Sequence, residues 1–378
     1  MTQKNGIPMF SPNRRGFLQG MGAAGLVGAA GLTPRKARAA TAMQYMCWEG
    51  YDKASIIQPF EAAQDVTLSI DLITDSPGGF AKLAAGAWRD FDAVSSDSPW
   101  IQRMGPAGIA EFIDAGEFAD VYDSFYEQFR APFAPLEFDG QITGLPTRWG
   151  WVGPTVNTQF DDLDKWSSYA PCFDPDYKDK ICVLDWGDWP IMPMALYAGI
   201  NPYKELDDAE LNEIRLVLRA LFKNTRAVVA DLSVAQKGLM DGSFRTLIGG
   251  GTYCTSALRK DGQKHIMSIV PEPKDGLNQG IIWMEATGIV KDPVDPAKAK
   301  ALLRHLTSPE VAVELAWTEA TCNLVPSQQA EALFSDEQKD VLQMDYMWEA
   351  WDKSHFHDVA PNIDQMLEIW QQELAAAR

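Results

Sequence analysis

The 378 residues are too many for one small core, so two domains are expected. A formal charge of −19 repels nucleic acid and anionic ligands and draws in cations. Five cysteines without a Cys-x-x-Cys pair, and four histidines of which only His355 and His357 lie close together, leave no pattern for an iron–sulfur cluster or a structural zinc site.

The N-terminus reads as an address. Asn13-Arg14-Arg15-Gly16-Phe17-Leu18 precedes an apolar, Gly/Ala-rich run over 21–32, and Ala37-Arg38-Ala39 has the small-x-small form of a signal-peptidase site. Paired arginines before a weakly hydrophobic run predict a twin-arginine export signal over residues 1–39. The run is too short to span a bilayer stably. Lys4, Arg14, Arg15, Arg35, Lys36 and Arg38 leave with it, and no acid does, so the mature chain is more acidic still. A periplasmic location is expected. That compartment is oxidising, and Cys172 and Cys182 are free to pair across a loop there.

In chain order, Met43 to Cys47 predicts a strand ending in Trp48-Glu49-Gly50-Tyr51. Lys53 to Ala63 has helical spacing, Val66 to Leu72 alternates as a second strand, and Gly79 to Ala87 predicts a helix. Phe91 to Val94 is a third strand, running into Ser95-Ser96-Asp97-Ser98-Pro99-Trp100. This alternation predicts α/β architecture with a parallel sheet and ligands beyond the carboxyl ends of its strands. Gly144 to Asn157, dense in Gly and Pro and holding Trp149 and Trp151, predicts an extended crossover. A strand over Ile181 to Leu184 leads into Asp185-Trp186-Gly187-Asp188-Trp189. Helices are expected over Ile191 to Ala198, Asp208 to Phe222 and Val234 to Met240, with a short strand at Ala227 to Ala230. Leu247 and Ile248 lead into Gly249-Gly250-Gly251, which lacks the Gly-Lys-Ser/Thr of a phosphate loop. Further helices are predicted over Ala297 to Leu306, Pro309 to Trp317, Ser335 to Met344 and Asn362 to Ala377.

Gly280 to Ile289 has the length and β-branched content of a strand. Alternation puts Ile281, Trp283 and Glu285 on one face. An indole face beside a carboxylate makes half a receptor for an organic ammonium group. A core tryptophan next to a solvated glutamate explains the same residues equally well.

Taken in order, these segments resemble the periplasmic spermidine/putrescine-binding proteins of ABC importers. Trp48 and Tyr51 match an early Trp-x-x-Tyr, and Ser96 to Trp100 echoes a Ser-x-x-aromatic turn. Pro146, Trp149, Gly150 and Asn157 match the crossover, and Asp185 and Asp188 match a pair of acids three apart. Tyr253 stands where a Trp is common, and Trp283-Met284-Glu285 stands where Trp-Met-Asp is common. The resemblance implies a two-lobed type II periplasmic-binding-protein fold, with parallel-rich sheets flanked by helices and hinge strands between the lobes. It divides the chain into a signal over 1–39, lobe 1 over 40–149 and 286–329, and lobe 2 over 150–285 and 330–378.

The ligand residues it implies are Trp48, Tyr51, Trp100, Asp185, Asp188, Tyr253, Trp283 and Glu285. The rings would sandwich a methylene chain, and Asp185, Asp188 and Glu285 would hold its ammonium ends. The expected protein is a monomer that binds a polyamine such as putrescine or spermidine and docks on a membrane permease, with no cofactor, no metal and no nucleic-acid partner. Another cationic or zwitterionic ligand (a betaine, an amino acid, a thiamine-like cation) stays open; an amino acid would need Arg148 for its carboxylate. An exported enzyme is the rival class, but no Gly-x-Gly-x-x-Gly follows a predicted strand, and no haem motif or nucleophile elbow is recognisable.

Overall fold

A computed structural model describes residues 40–318 and 322–377. The export signal, including Arg14, Arg15 and the Ala37-Arg38-Ala39 site, lies outside the described residues. Fourteen strands follow in chain order: β1 (Thr41–Cys47), β2 (Val66–Leu72), β3 (Ala93–Asp97), β4 (Ala110–Glu111), β5 (Glu137–Phe138), β6 (Gln141–Ile142), β7 (Leu145–Val152), β8 (Thr155–Asn157), β9 (Ile181–Leu184), β10 (Thr225–Val229), β11 (Thr246–Ile248), β12 (Ile266–Ser268), β13 (Gly280–Val290) and β14 (Ser354–Phe356).

Two sheets organise them. The first has the order β14-β13-β3-β1-β2, with β4 and β7 also on β13; the second runs β10-β9-β11-β8-β12. Each is built on three parallel strands, β2-β1-β3 and β10-β9-β11. Antiparallel strands then extend them: β13 on β3 in one sheet, and β8 beside β11 and β12 in the other. The sheets are therefore mixed. A strand that returns directly from a neighbouring sheet arrives antiparallel, whereas a helical crossover delivers a parallel one.

Long strands join the two sheets. β7 runs on into β8, and β12 leads back into β13. β7 and β13 pair antiparallel from Val152–Ile281 to Leu145–Thr287, with a bulge between Glu285 and Ala286. All eleven residues of β13 are buried, as its continuous apolar run predicts for a strand covered on both faces. The chain crosses a third time beyond β14, and the helix Ile363–Ala377 docks on the helix Asp208–Asn224. Trp370 packs edge-on to Phe222 there, and Glu373 pairs with Arg215 and Arg219.

Each sheet has its own apolar cluster. The first gathers residues from Met43 to Trp151 with Ile282 to Ala350, including Ala330, Phe334, Leu342, Met344 and Met347. The second gathers Val152 to Ile248 with Trp283, Met366, Ile369 and Trp370. All five cysteines are buried free thiols; Cys172 lies in the second cluster, and Cys182 in a smaller third one with Leu184, Leu239, Leu247 and Cys254. The pairing left open by the sequence is therefore not made. Among the described residues, no helix is long and apolar enough to cross a membrane.

The structure adds elements that local pattern does not reveal. The turn expected to end at Trp100 becomes the helix Ser98–Arg103, with Pro99 in its first turn. The glycine triplet opens the helix Thr252–Lys260. The three residues of β14 are too few for periodicity to show.

Candidate functional site

The site is assembled where β7 and β13 lie side by side. In their register Glu285 faces Arg148 and Trp283 faces Gly150; directly opposed residues of an antiparallel pair share a face. Arg148 Nε donates to Glu285 Oε2 at 2.8 Å and Nη2 to Oε1 at 2.9 Å. This is the parallel fork that makes guanidinium–carboxylate pairs strong. The Tyr51 hydroxyl donates to the same Oε2 at 2.8 Å and shares a 2.6 Å bond with the Thr147 hydroxyl. The guanidinium lies 4.6 Å from the centre of the Tyr51 ring. Arg148 is 2% exposed and Glu285 4%. Burial works against the charge on Arg148, but Glu285, Tyr51 and Tyr253 together outweigh it and raise the arginine's pKa. Burial, followed by the Glu285 charge, keeps the Tyr51 hydroxyl protonated.

Glu285 was expected to hold a ligand ammonium. In the structure both of its oxygens are already engaged by the protein. Tyr51, expected as an aromatic wall, is fully buried as a hydroxyl donor and cation–π partner. Gly50 permits this arrangement: its φ is +97°, and a Cβ there would stand 2.9 Å from Thr318 and 3.2 Å from Arg148 Nη1. Gly150 lets the Trp283 indole lie on the backbone, since a Cβ would meet that ring at 2.8 Å.

Trp283 is 6% exposed and belongs to the second sheet's core. Of the two alternatives the sequence leaves open, its packing is that of a core tryptophan, but the glutamate beside it is buried rather than solvated. Tyr253 meets it edge-on at 6.0 Å and meets Trp186 edge-on at 5.9 Å. Trp48 is half-buried beside the first core. Trp100 instead lies against Phe80 at 5.4 Å, with Arg103 over its face, and helps line a small apolar cavity with Met46 and Ile73.

The two aspartates after β9 take different partners. Asp185 Oδ1 accepts the Trp370 indole N–H at 3.0 Å, tying the strand end to the terminal helix. It does not cap the helix Ile191–Tyr197, which has no side-chain cap. Asp188 Oδ2 lies 2.9 Å from His357 Nε2. The His357 ring stacks on Trp189 at 4.1 Å, and its backbone N–H donates to Ile282 O of β13. Burial opposes charge on this imidazole, but Asp188 and then Asp97 outweigh it, so its pKa is raised.

Asp97, at the end of β3, is the residue that sequence reasoning passed over in favour of Trp100. Burial and the nearby Glu285 charge push its carboxyl up to about 7, opposed by His357 and Ser76, with Asp188 adding to the rise. Asp97 from the first sheet therefore stands in the field of Asp188 from the second. An acid at the carboxyl end of a parallel strand is the signal that marks Asp97. His357 had no such signal, because its partner is distant in the chain. A separate surface depression of about 580 Å³, lined by Thr158 to Leu163, Lys165 and Arg245, holds none of the expected ligand residues.

The family described as bacterial extracellular solute-binding protein matches residues 55–344. The spermidine/putrescine-binding periplasmic protein of Salmonella typhimurium is 23% identical over 275 residues, covering 72% of this chain and 74% of the relative. Its Escherichia coli counterpart is 23% identical over 276 residues, with the same coverage. Among solved structures, the spermidine/putrescine ABC transporter substrate-binding protein of Streptococcus pneumoniae superposes with a TM-score of 0.69 at 14% identity, over 89% of this chain and 100% of that one. The TpPotD lipoprotein of Treponema pallidum gives 0.68 at 18% identity, over 89% and 99%. The likeness to these structures establishes the two-lobed α/β fold.

Proposed function

The chain belongs to the bacterial extracellular solute-binding proteins, a family of binding proteins rather than enzymes, and we propose that it delivers a small organic amine, of the polyamine class, to an ABC importer. The meeting of Asp97 and Asp188 carries this reading. One acid comes from each sheet, the Asp188 charge adds to the rise in the Asp97 pKa, and Trp48, Tyr253 and Trp283 stand on the neighbouring segments. Neighbouring carboxylates repel, His357 offsets part of that repulsion here, and an ammonium group would relieve the rest. Aromatic rings beside them suit a methylene chain and its cation. The relatives named for spermidine and putrescine support the same class.

The lobes proposed from packing are 40–149 with 286 to about 353, and 150–285 with 357–377, since residues 330–350 pack in the first core. Closing them on a ligand would hold it between Asp97 and Asp188 and present one surface to a membrane permease. Export by the twin-arginine route is proposed from Arg14 and Arg15; changing both to Lys should leave precursor in the cytoplasm, and normal export of that variant argues for the general secretory route instead.

The test is calorimetry on the mature protein with putrescine, spermidine, glycine betaine and lysine. Binding of an amine, lost in Asp97→Asn and weakened in Asp188→Asn, supports the reading. Binding of betaine alone, or amine binding indifferent to both changes, overturns it.

A further inference from the structure

Three acids, Glu285, Asp97 and Asp188, lie among these aromatic residues, and they differ in what they already hold. Glu285 accepts Arg148 Nε and Nη2 and the Tyr51 hydroxyl, so both of its oxygens are engaged. Asp97 and Asp188 have no lysine or arginine partner among the described residues; Asp188 shares one oxygen with His357. A ligand ammonium could reach Glu285 only by displacing Arg148. That would leave a guanidinium buried without its counter-ion, a large penalty. The guanidinium has little room to swing aside, stacked on Tyr51 and closed over by the backbone at Gly50.

The donors point the same way. Arg148 Nη1 and the indole nitrogens of Trp48 and Trp283 are buried N–H groups with no acceptor among the described residues. An ammonium offers them no lone pair, whereas an amide or carboxylate oxygen does.

We propose that Arg148 occupies the place of one ligand ammonium, so that the site selects amines with a single charged end: one ammonium between Asp97 and Asp188, and an uncharged, oxygen-bearing end toward Arg148 and Trp283. The proposal rests on the amine reading above and narrows its class. It makes Arg148 a specificity-determining residue.

Putrescine and its mono-N-acetyl derivative share a chain and differ by one ammonium, so they are the probes. With the wild-type mature protein, calorimetry should show the acetylated amine binding at least about tenfold tighter, the size of one charged hydrogen bond. Putrescine binding equally or more tightly keeps the amine reading and overturns the single-charge proposal. Binding of neither overturns both. In Arg148→Met, Glu285 is released, and putrescine affinity should rise roughly ten- to a hundredfold. Adding Glu285→Gln should remove that gain. A folded Arg148→Met that gains nothing for putrescine overturns the proposal; if that variant fails to fold, the two wild-type affinities decide.

Discussion

Asp97 on β3 and Glu285 on β13 are register partners in the first sheet, and the charge on Glu285 is one reason the Asp97 carboxyl titrates near 7. Burial is the larger reason, and it sets up a pH dependence with two opposite signs. An amine binds the ionised form of Asp97. Affinity should therefore rise with pH through about 7, and titration calorimetry on either side of that value reads it directly.

The empty protein should respond the other way. The folded pKa of Asp97 lies above its ordinary value of 3.8, so the folded state holds the proton more tightly. Its contribution to stability is full below about 4 and declines as pH rises toward about 7. Asp97→Asn removes the decline. In urea unfolding, the variant should gain on wild type between about pH 5 and about pH 8. A constant difference across that window would mean that Asp97 titrates normally.

Glu285→Gln tests the buried pair. It leaves Arg148 without its counter-ion, and breaking such a pair costs about 3–5 kcal/mol. Adding Arg148→Met should recover most of that loss, because two neutral residues then face each other. A single-variant cost below about 1 kcal/mol in denaturant unfolding, the range of an exposed pair, would show that the pair is solvated in solution.

Trp283→Leu should act on both stability and binding. Shrinking a buried indole in the second core should cost on the order of 2–4 kcal/mol, and the melting temperature of the empty protein should fall. Losing the ring beside the ligand should cost a further 1–2 kcal/mol or so in amine affinity. An unchanged melting temperature would place the ring in open solvent rather than in the core.

Closure is the fifth expectation. The chain passes between the two sheets at β7, at β13 and beyond β14, a small number of strands about which lobes can rotate. Saturating amine should lower the radius of gyration in solution scattering. An identical profile with and without ligand would argue that the lobes do not move.

Local pattern made much of the fold legible. Val66–Leu72 alternates and is a strand over those same residues; Asp208–Asn224 has helical spacing and opens on a capping box from Asp207 to Glu210. Such elements are set by neighbours within a few residues. The placing of Trp283 and Glu285 on one strand was equally visible, because it needs only the alternation of β13.

What the charges do was not visible. Glu285 reads as an open carboxylate until the register of β7 on β13 sets it against Arg148, 137 positions away. His357 reads as a lone histidine near His355 until the fold sets it on Asp188, 169 positions away. Asp97 looked like one polar residue in a turn until burial and Glu285 altered its titration. Periodicity reports which face a side chain takes, and that is a local property. Whether a buried acid is already neutralised depends on which distant strand lies beside it, and only the tertiary structure decided that.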